Sequence, residues 1–473
     1  MKKRLLAFVL AICVTLGATA CQNNQNNSSS PVTNSTSETE SQTESKEESK
    51  EESKEESKEE SNETSESTES PDSSEAPESS KPEETTTEES APEIPTDEKY
   101  TAGGNVTQGM IDISVLNEGN KVRLAEFLKK TQLGEDVTVG FIGGSITQGS
   151  SAGNDLCYAK LTASWLQSIC PQSRVNYVNA GIGATGSYIG VHRVTNDLLS
   201  KNPDLVFVEF SVNDTTENTQ RNIESYDSLL RTIWNSESKP AIITIATVQE
   251  NGTSFQQYHA DIIKKYDLPM ISYGDAILSV INNGDIAWKD ISDDNIHPNV
   301  PGHDVMFQLI RAYITDVAAE LDSITGEESD FSVKASAAGF ENGKLLTPTN
   351  TEPSVNNGFI KKSGYFGGFD GTWIALSASK PYPDDITLTF EVEAKSIGLL
   401  YGKLTNATAT SADIYIDGEL VTTINAAFPG GWGNYVECAH LKTYTETGKH
   451  TVSIVPKAKD GGAVFYVSAL AIS

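Results

Sequence analysis

The stretch VTVGFIGGSITQGS, residues 137–150, decides the fold of the segment around it. Its first six residues form an apolar run, typical of a strand that is covered on both faces of a sheet. Gly143 and Gly144 then permit a sharp turn, and Ser145 begins the next element. Three interpretations are open here: the serine is a nucleophile, the loop cradles a phosphate, or the serine caps a helix.

Phosphate binding is excluded by the residues of the same stretch. A P-loop needs a lysine to neutralise phosphate charge, and no lysine lies between Gly140 and Ser150. The glycines, at positions 140, 143, 144 and 149, also fail to match the dinucleotide pattern GxGxxG.

The chain around this stretch alternates short β-rich runs with amphipathic segments. Because strands and helices alternate, we expect right-handed crossovers and a doubly wound parallel sheet, a flavodoxin-like three-layer sandwich within residues 105–325. Ligands of such sheets bind at the carboxyl ends of the strands. The predicted strands are 137–142, 174–180, 204–210, 241–246 and 268–273, and the predicted helices are 156–169, 223–234, 255–265 and 303–321.

Residues 330–473 have a different pattern. Runs such as DITLTFEVEA, ADIYIDGEL and AVFYVSALAIS alternate or are rich in β-branched residues, with Gly, Asn and Asp turns between them. This pattern predicts a separate all-β sandwich of about 140 residues.

The N-terminus carries an export signal followed by a tether. Residues 1–21 combine three basic residues, an apolar run and small residues before Cys21, which indicates a bacterial lipoprotein signal with Cys21 as the lipidated residue; ordinary cleavage near Ala20 is the alternative. Residues 22–100 are polar, repeat KEES and hold 24 acidic residues against six lysines, a composition typical of a disordered tether. We therefore expect the protein outside the bacterial membrane, attached to it only through the lipid.

Charge and cysteine usage exclude other classes of partner and site. The net charge is −31, of which −16 remains in residues 101–473, so the folded part is a poor partner for nucleic acid. Cys157, Cys170 and Cys438 are an odd number without CxxC spacing, so they predict neither a zinc site nor a disulfide framework. A single Cys157–Cys170 bridge stays open, and no metal or cofactor is expected.

A nucleophilic serine needs a histidine to take its proton. Among the six histidines, His297 lies in the polar loop SDDNIHPNVPGH, three residues after Asp294. In a tight loop this spacing lets the carboxylate face the imidazole and fix its tautomer. A metal pair is the alternative, but no further ligands stand at suitable spacing.

The third requirement is an oxyanion hole at the neighbouring strand ends. NAGIGATGS, residues 179–187, can present backbone N–H groups, and EFSVND, residues 209–214, places the Asn213 amide just past a strand. Each stretch alone also fits an ordinary turn or strand end.

Together, GGSIT, NAGIGATGS, SVND and DNIHPNVPGH resemble, in order and spacing, the four blocks of the SGNH, or GDSL-type, hydrolase family. The resemblance covers about residues 135–320 and implies Ser145 as nucleophile, Asp294 and His297 as its partners, and Ser145, Ala184 and Asn213 as oxyanion donors. Ala184 stands where the family often has glycine, which leaves the donating amide open between 183, 184 and a neighbour. The α/β-hydrolase pattern GxSxG is not met, because Thr147 replaces the last glycine.

Other residues have two interpretations each. Gly183 and Trp288 could contact substrate. His192 and Arg193 either reach a substrate hydroxyl or carboxylate or serve on a helix surface or in packing, and His303 is expected to be a cap or packing residue. Trp373 and Trp432 either stack on sugar rings or belong to the β-domain core.

The variant Gly-Gly-Ser of the first block is similar to bacterial acetylesterases that act on plant cell-wall polysaccharides. The resemblance therefore implies a cofactor-free serine esterase that removes short acyl groups from carbohydrate. The alternatives are a lipase or lysophospholipase, and a catalytically silent glycan-binding lipoprotein.

Overall fold

The structure is a computed structural model that describes residues 99–337, 339–377, 386–457 and 463–473. The predicted signal segment, the lipidation site Cys21 and the tether up to residue 98 lie outside the described residues. Within the described residues, no helix is both long and apolar enough to cross a membrane.

Six strands of the first half form one sheet in the order β1-β6-β5-β4-β2-β3. The strands β2 to β6 pair in parallel, as predicted, and β1 is an antiparallel edge strand that the sequence pattern did not reveal. The strands are β1 (Val115–Asn117), β2 (Val137–Gly143), β3 (Val175–Gly181), β4 (Leu205–Glu209), β5 (Ala241–Ala246) and β6 (Met270–Ser272).

Alternate residues of each strand point to opposite faces of this sheet, and helices cover both faces. Val206 and Val208 pack with α6, α7 and α8, whereas Leu205 and Phe207 pack with α2, α5, α9 and α10. The predicted three-layer, doubly wound arrangement is therefore confirmed. The helices are α1 (Gln108–Ser114), α2 (Val122–Leu133), α3 (Ser145–Gln148), α4 (Gly153–Leu156), α5 (Tyr158–Ile169), α6 (Ser187–Asp197), α7 (Thr219–Trp234), α8 (Gln256–Tyr266), α9 (Tyr273–Asn282) and α10 (Val300–Ala319).

The second half is an antiparallel β-domain, again as predicted. Seven strands run in the order β13-β12-β14-β11-β15-β10-β9, while β7 pairs with β15 and β8 with β11. Most of the run DITLTFEVEA and of the β-rich run SIGLLYGKL after it, 396–404, belongs to the single long strand β11, which shifts register between Ala394 and Ser396. The strands are β7 (Lys344–Leu346), β8 (Val355–Asn357), β9 (Phe359–Lys362), β10 (Thr372–Ser377), β11 (Thr387–Lys403), β12 (Ser411–Ile416), β13 (Glu419–Asn425), β14 (Tyr435–Pro456) and β15 (Ala463–Ile472).

The cysteines are all free thiols in the described residues. Cys157 and Cys170 are buried and unbridged, so the disulfide left open by the sequence is not formed. Cys157 precedes α5 and Cys170 follows it, and these opposite ends of one helix hold the two thiols apart.

The connection between the two halves is held by buried aromatic and polar contacts. Phe331 stacks between Trp234 and Tyr266, with ring centroids 4.5 and 3.9 Å away. The buried Asp227 carboxylate on α7 accepts hydrogen bonds from the Tyr266 hydroxyl at 2.5 Å and from the Ser336 backbone N–H and hydroxyl, both at 2.7 Å. The same core cluster then continues from α6–α8 into the β-domain.

Replacing Asp227 should therefore loosen the β-domain. We expect Asp227→Ala to lower the free energy of unfolding by about 3 kcal/mol, because three donors lose a charged acceptor in a buried site. Urea unfolding followed by tryptophan fluorescence measures the loss. Asp261→Ala, on the exposed side of α8, is the matched control and should change stability by less than about 0.5 kcal/mol; equal effects of the two substitutions would contradict the prediction.

Candidate active site

The site is built where β2 leaves the sheet. The strand ends at Gly143, and Ser145 begins the one-turn helix α3 with 8% of its surface exposed. A Cβ on Gly143 would lie 2.1 Å from Thr147 Oγ1 and 2.5 Å from the Glu209 carbonyl oxygen. Only glycine lets the chain turn this tightly against the end of β4.

The loop before α10 brings a histidine and an aspartate to this serine. His297 Nε2 lies 2.9 Å from Ser145 Oγ, and His297 Nδ1 lies 2.7 Å from Asp294 Oδ2. The other Asp294 oxygen accepts the backbone N–H groups of Ile296 and His297, both at 2.7 Å. Burial raises the pKa of Asp294, but the hydrogen bonds from His297 and Ile296 outweigh it and hold that pKa below its usual value. The carboxylate is therefore charged and oriented toward the imidazole.

Trp288 supports this loop from behind. Its indole N–H donates to the Asp294 carbonyl oxygen at 2.7 Å, and its ring packs in the core beside α10. A cavity lies over Ser145, and Trp288 does not line it. The structure therefore corrects the prediction that Trp288 contacts the substrate.

Three groups could stabilise an oxyanion at Ser145. The backbone N–H groups of Ser145 and Ala184 donate to no acceptor among the described residues, whereas the Gly183 N–H donates to Gln148 Oε1 at 2.9 Å. Of the two residues of this loop that line the cavity over Ser145, Gly183 and Ala184, only Ala184 therefore has an N–H group without an acceptor among the described residues; its backbone is left-handed, with φ 58°. Asn213 lines the same cavity.

The orientation of Asn213 depends on Gly144. A Cβ on Gly144 would lie 2.0 Å from Asn213 Oδ1, so the side chain can approach only a glycine. Asn213 Oδ1 is buried against this glycine, which leaves the Nδ2 end of the amide open to the cavity. An N–H donor facing the cavity is what a developing oxyanion requires.

Arg193 lies beneath the site rather than in it. Its guanidinium is fully buried and donates to the carbonyl oxygens of Ala180 at 2.6 Å and Gly143 at 3.0 Å. It also pairs with Asp197 one turn later on α6. Of the two interpretations of Arg193, the substrate contact is therefore corrected and the packing role is observed. The side chain connects the carboxyl ends of β2 and β3.

The other histidines near the site are buried and hydrogen-bonded to backbone. His303 Nδ1 accepts the Tyr158 N–H at 3.1 Å, and His192 Nδ1 bonds the Tyr188 carbonyl oxygen at 2.6 Å. Burial lowers the pKa of both residues to about 4, so both are neutral at physiological pH. They serve packing, as expected for His303 and as one of the two interpretations of His192.

The β-domain forms one wall of a cavity of about 660 Å³ over Ser145. Trp432 is 72% exposed there, and its ring lies 4.8 Å from that of Tyr435 in a stacked arrangement. Phe366 and Phe369 reach the cavity from the loop between β9 and β10. Trp373, in contrast, is fully buried in the β-domain core. The core interpretation therefore applies to Trp373, whereas Trp432 has the exposed position that stacking on a sugar ring requires.

Two polar groups beneath the strand ends were missed by the sequence analysis. Glu209 closes β4 with a buried carboxyl group that accepts from Thr247 Oγ1 at 2.7 Å, and Asp214 pairs with His259 at 3.0 Å. For Glu209, the signal in the sequence is that a charged residue directly follows the apolar run DLVFV. Such a residue lies either at an exposed strand end or in a buried site where a partner group hydrogen-bonds to it.

A serine, a histidine and an aspartate that are joined by hydrogen bonds at the carboxyl edge of a parallel sheet have the arrangement on which serine hydrolases rely. The GDSL-like lipase/acylhydrolase family model matches residues 141–305. A two-domain esterase active on acetylated mannans, solved alone, is 30% identical over 77% of this chain and 98% of its own, with a TM-score of 0.71. Its co-crystal with mannopentaose matches at 30% identity over 77% and 97%, with a TM-score of 0.70. A comparison with curated proteins gives no match.

The chain belongs to the GDSL-like lipase/acylhydrolase, or SGNH, family, and it is an SGNH-type esterase. The two-domain architecture is shared with the mannan-active esterase, because the match extends over nearly all of that protein.

Glu209 makes stability depend on pH. Burial raises its pKa from 4.5 to about 7, although hydrogen bonds from Thr247 and Thr147 oppose the rise. Because the folded state then holds this proton more tightly than the unfolded state, the contribution of Glu209 to stability is fully present below pH 4.5 and is lost as pH rises through 7. Glu209→Gln removes the ionisation, so its stability relative to wild type should increase by about 2.5 kcal/mol between pH 5 and pH 8.

Urea unfolding at the two pH values measures this difference. Glu217→Gln, an exposed glutamate after β4, is the control and should show no such change. A pH-independent difference between Glu209→Gln and wild type would contradict the prediction.

Proposed function

We propose that this esterase removes O-acetyl groups from carbohydrate through an acyl-enzyme on Ser145. The observation that carries the proposal is the position of His297, which bonds both Ser145 Oγ and Asp294 at the floor of a cavity with an aromatic wall. The acid, the base and the nucleophile are thus aligned where a bound ester would lie.

The chemistry follows from this alignment. His297 Nε2 accepts the Ser145 proton as Oγ attacks the ester carbonyl, and Asp294 stabilises the imidazolium. The N–H groups of Ser145 and Ala184 and the Asn213 amide donate to the oxyanion. His297 then protonates the departing sugar oxygen, and a water molecule repeats the sequence to release acetate.

Carbohydrate as substrate is supported by the cavity wall. Trp432 and Tyr435 line the space over Ser145, where their rings stack on each other, and flat aromatic rings pack well against the C–H groups of a sugar ring. Polar groups lie beside them, Asn434 on the β-domain and Asn295 on the histidine loop, which suits hydroxyl-rich ligands. The activity of the similar two-domain esterase on acetylated mannans supports the same substrate class.

Replacing the nucleophile tests the mechanism and the substrate together. We expect Ser145→Ala to release acetate at least about 10⁴-fold more slowly than wild type while unfolding at the same temperature. Acetate is measured enzymatically after incubation with acetylated mannan, xylan, pectin and peptidoglycan. Ser168→Ala, an exposed serine on α5, is the matched control and should keep full activity.

Three results would contradict the proposal, each in a different part. Full activity of Ser145→Ala would exclude the acyl-enzyme mechanism. Faster turnover of octanoyl than acetyl esters would indicate a lipase or lysophospholipase. Retention on a mannan or xylan column without release of acetate from any substrate would indicate a silent glycan-binding protein.

The proposal also places the enzyme outside the bacterial membrane, held by lipid on Cys21. It rests on the lipoprotein-like sequence of residues 1–21 and on the polar composition of residues 22–100. A lipid-held enzyme on the outer face of the membrane would meet polysaccharide there. Plant cell-wall polysaccharide is the substrate we expect there.

Fractionation of expressing cells tests this location. We expect the full chain in the membrane fraction, labelled by a fatty-acid probe, and Cys21→Ser unlabelled, because lipid is the only membrane attachment proposed. Cys157→Ser, a cysteine in the folded part, is the control and should fractionate like wild type. Membrane association of unlabelled Cys21→Ser would contradict lipid anchoring.

A further inference from the structure

One buried carboxylate joins the two loops that carry the oxyanion donors. Asp214 directly follows Asn213, and its Oδ1 accepts the Ser187 N–H at 2.9 Å. Ser187 begins α6, three residues after Ala184, so this bond ties the loop after β3 to the loop after β4. A Cβ on Gly186 would lie 2.6 Å from Asp214 Oδ1, so the glycine makes room for the carboxylate.

His259 satisfies the other oxygen of Asp214. His259 Nε2 lies 3.0 Å from Asp214 Oδ2, and both side chains are 1% exposed. The imidazole stacks on the Tyr226 ring with centroids 3.6 Å apart and meets the edge of Phe255. A carboxylate with this little solvent is costly unless its oxygens are hydrogen-bonded, so the histidine holds Asp214 in one position.

The turn between β4 and Asp214 transmits that position to Asn213. The N–H groups of Asn213 and Asp214 both donate to the Phe210 carbonyl oxygen, at 3.0 and 2.9 Å. The start of α8 also holds this turn, because the Phe255 N–H donates to the Ser211 carbonyl oxygen at 2.7 Å. A shift of Asp214 would therefore move the Asn213 amide with it.

We propose that Asp214 and His259 are positioning residues that hold the Ala184 and Asn213 donors in place around the oxyanion. The inference rests on the proposed function, since it concerns the same acyl transfer. Neither side chain lines the cavity, so both act through the two loops and not on the substrate. Misplacing a donor by about 1 Å costs on the order of 100-fold in rate, so a fixed link between loops from different strands has a direct catalytic value.

Two polar substitutions of His259 test the inference. The amide nitrogen of His259→Gln reaches the place of Nε2 and can donate to Asp214, whereas the side chain of His259→Asn is too short. With 4-nitrophenyl acetate as substrate, we expect His259→Asn to lower kcat by about 10- to 100-fold and to leave KM within about threefold. His259→Gln should recover kcat to within about threefold of wild type.

His192→Asn is the matched control. His192 is equally buried and hydrogen-bonded, but its ring bonds the Tyr188 carbonyl oxygen and makes no contact with Asp214. It should lower the unfolding temperature without the loss in kcat. Should His259→Asn not fold, His259→Met, an unbranched apolar side chain of similar length, supplies the same comparison with His259→Gln.

The outcomes separate this inference from the proposed function. Wild type that does not hydrolyse the ester, or Ser145→Ala that does, overturns the proposed function itself. An active wild type in which His259→Asn and His259→Gln have equal kcat, or in which the His192 control loses as much kcat, overturns the positioning role alone.

Discussion

The site depends on the absence of side chains at Gly143 and Gly144, the two glycines where β2 ends. Atoms of Thr147 and Glu209 occupy the place of a Gly143 side chain, and Asn213 Oδ1 occupies that of Gly144. A methyl group at either position would force the end of β4 away from Ser145. The closeness of nucleophile and oxyanion donor is therefore fixed by backbone packing before any side-chain chemistry acts.

Parallel pairing turns this local contact into a complete site. Because β3 and β4 flank β2, their carboxyl ends deliver Ala184 and Asn213 to opposite sides of Ser145. The carbonyl groups of Gly143 and Ala180, at the carboxyl ends of β2 and β3, need donors, and the buried Arg193 guanidinium donates to both. The edge that carries the reactive groups is thus held from beneath by buried side-chain hydrogen bonds.

What could be predicted from the sequence was local. The strand-turn pattern alone left three interpretations of Ser145 open, and only the downstream Asn213, Asp294 and His297 favoured a nucleophile. The short spacing of Asp294 and His297 sufficed to predict their contact, because three loop residues span little distance. The buried role of Arg193 could not be predicted, because only the tertiary structure decides which face of α6 points under the sheet. The same holds for Trp373 and Trp432, both in glycine-rich surroundings, of which one is core and the other exposed. The edge strand β1 was missed because three residues carry too little periodicity.

The cavity exists only where the two halves of the described chain meet. Its floor comes from the parallel sheet and its aromatic wall from the β-domain. One continuous hydrophobic core extends from α6–α8 into the β-domain, so the wall cannot move freely without opening that core. A binding module on a flexible linker would raise only the local substrate concentration. Under the proposed function, a wall built into the same core can instead fix the angle at which a sugar ring presents its ester to Ser145, and the β-domain would then belong to the catalytic unit.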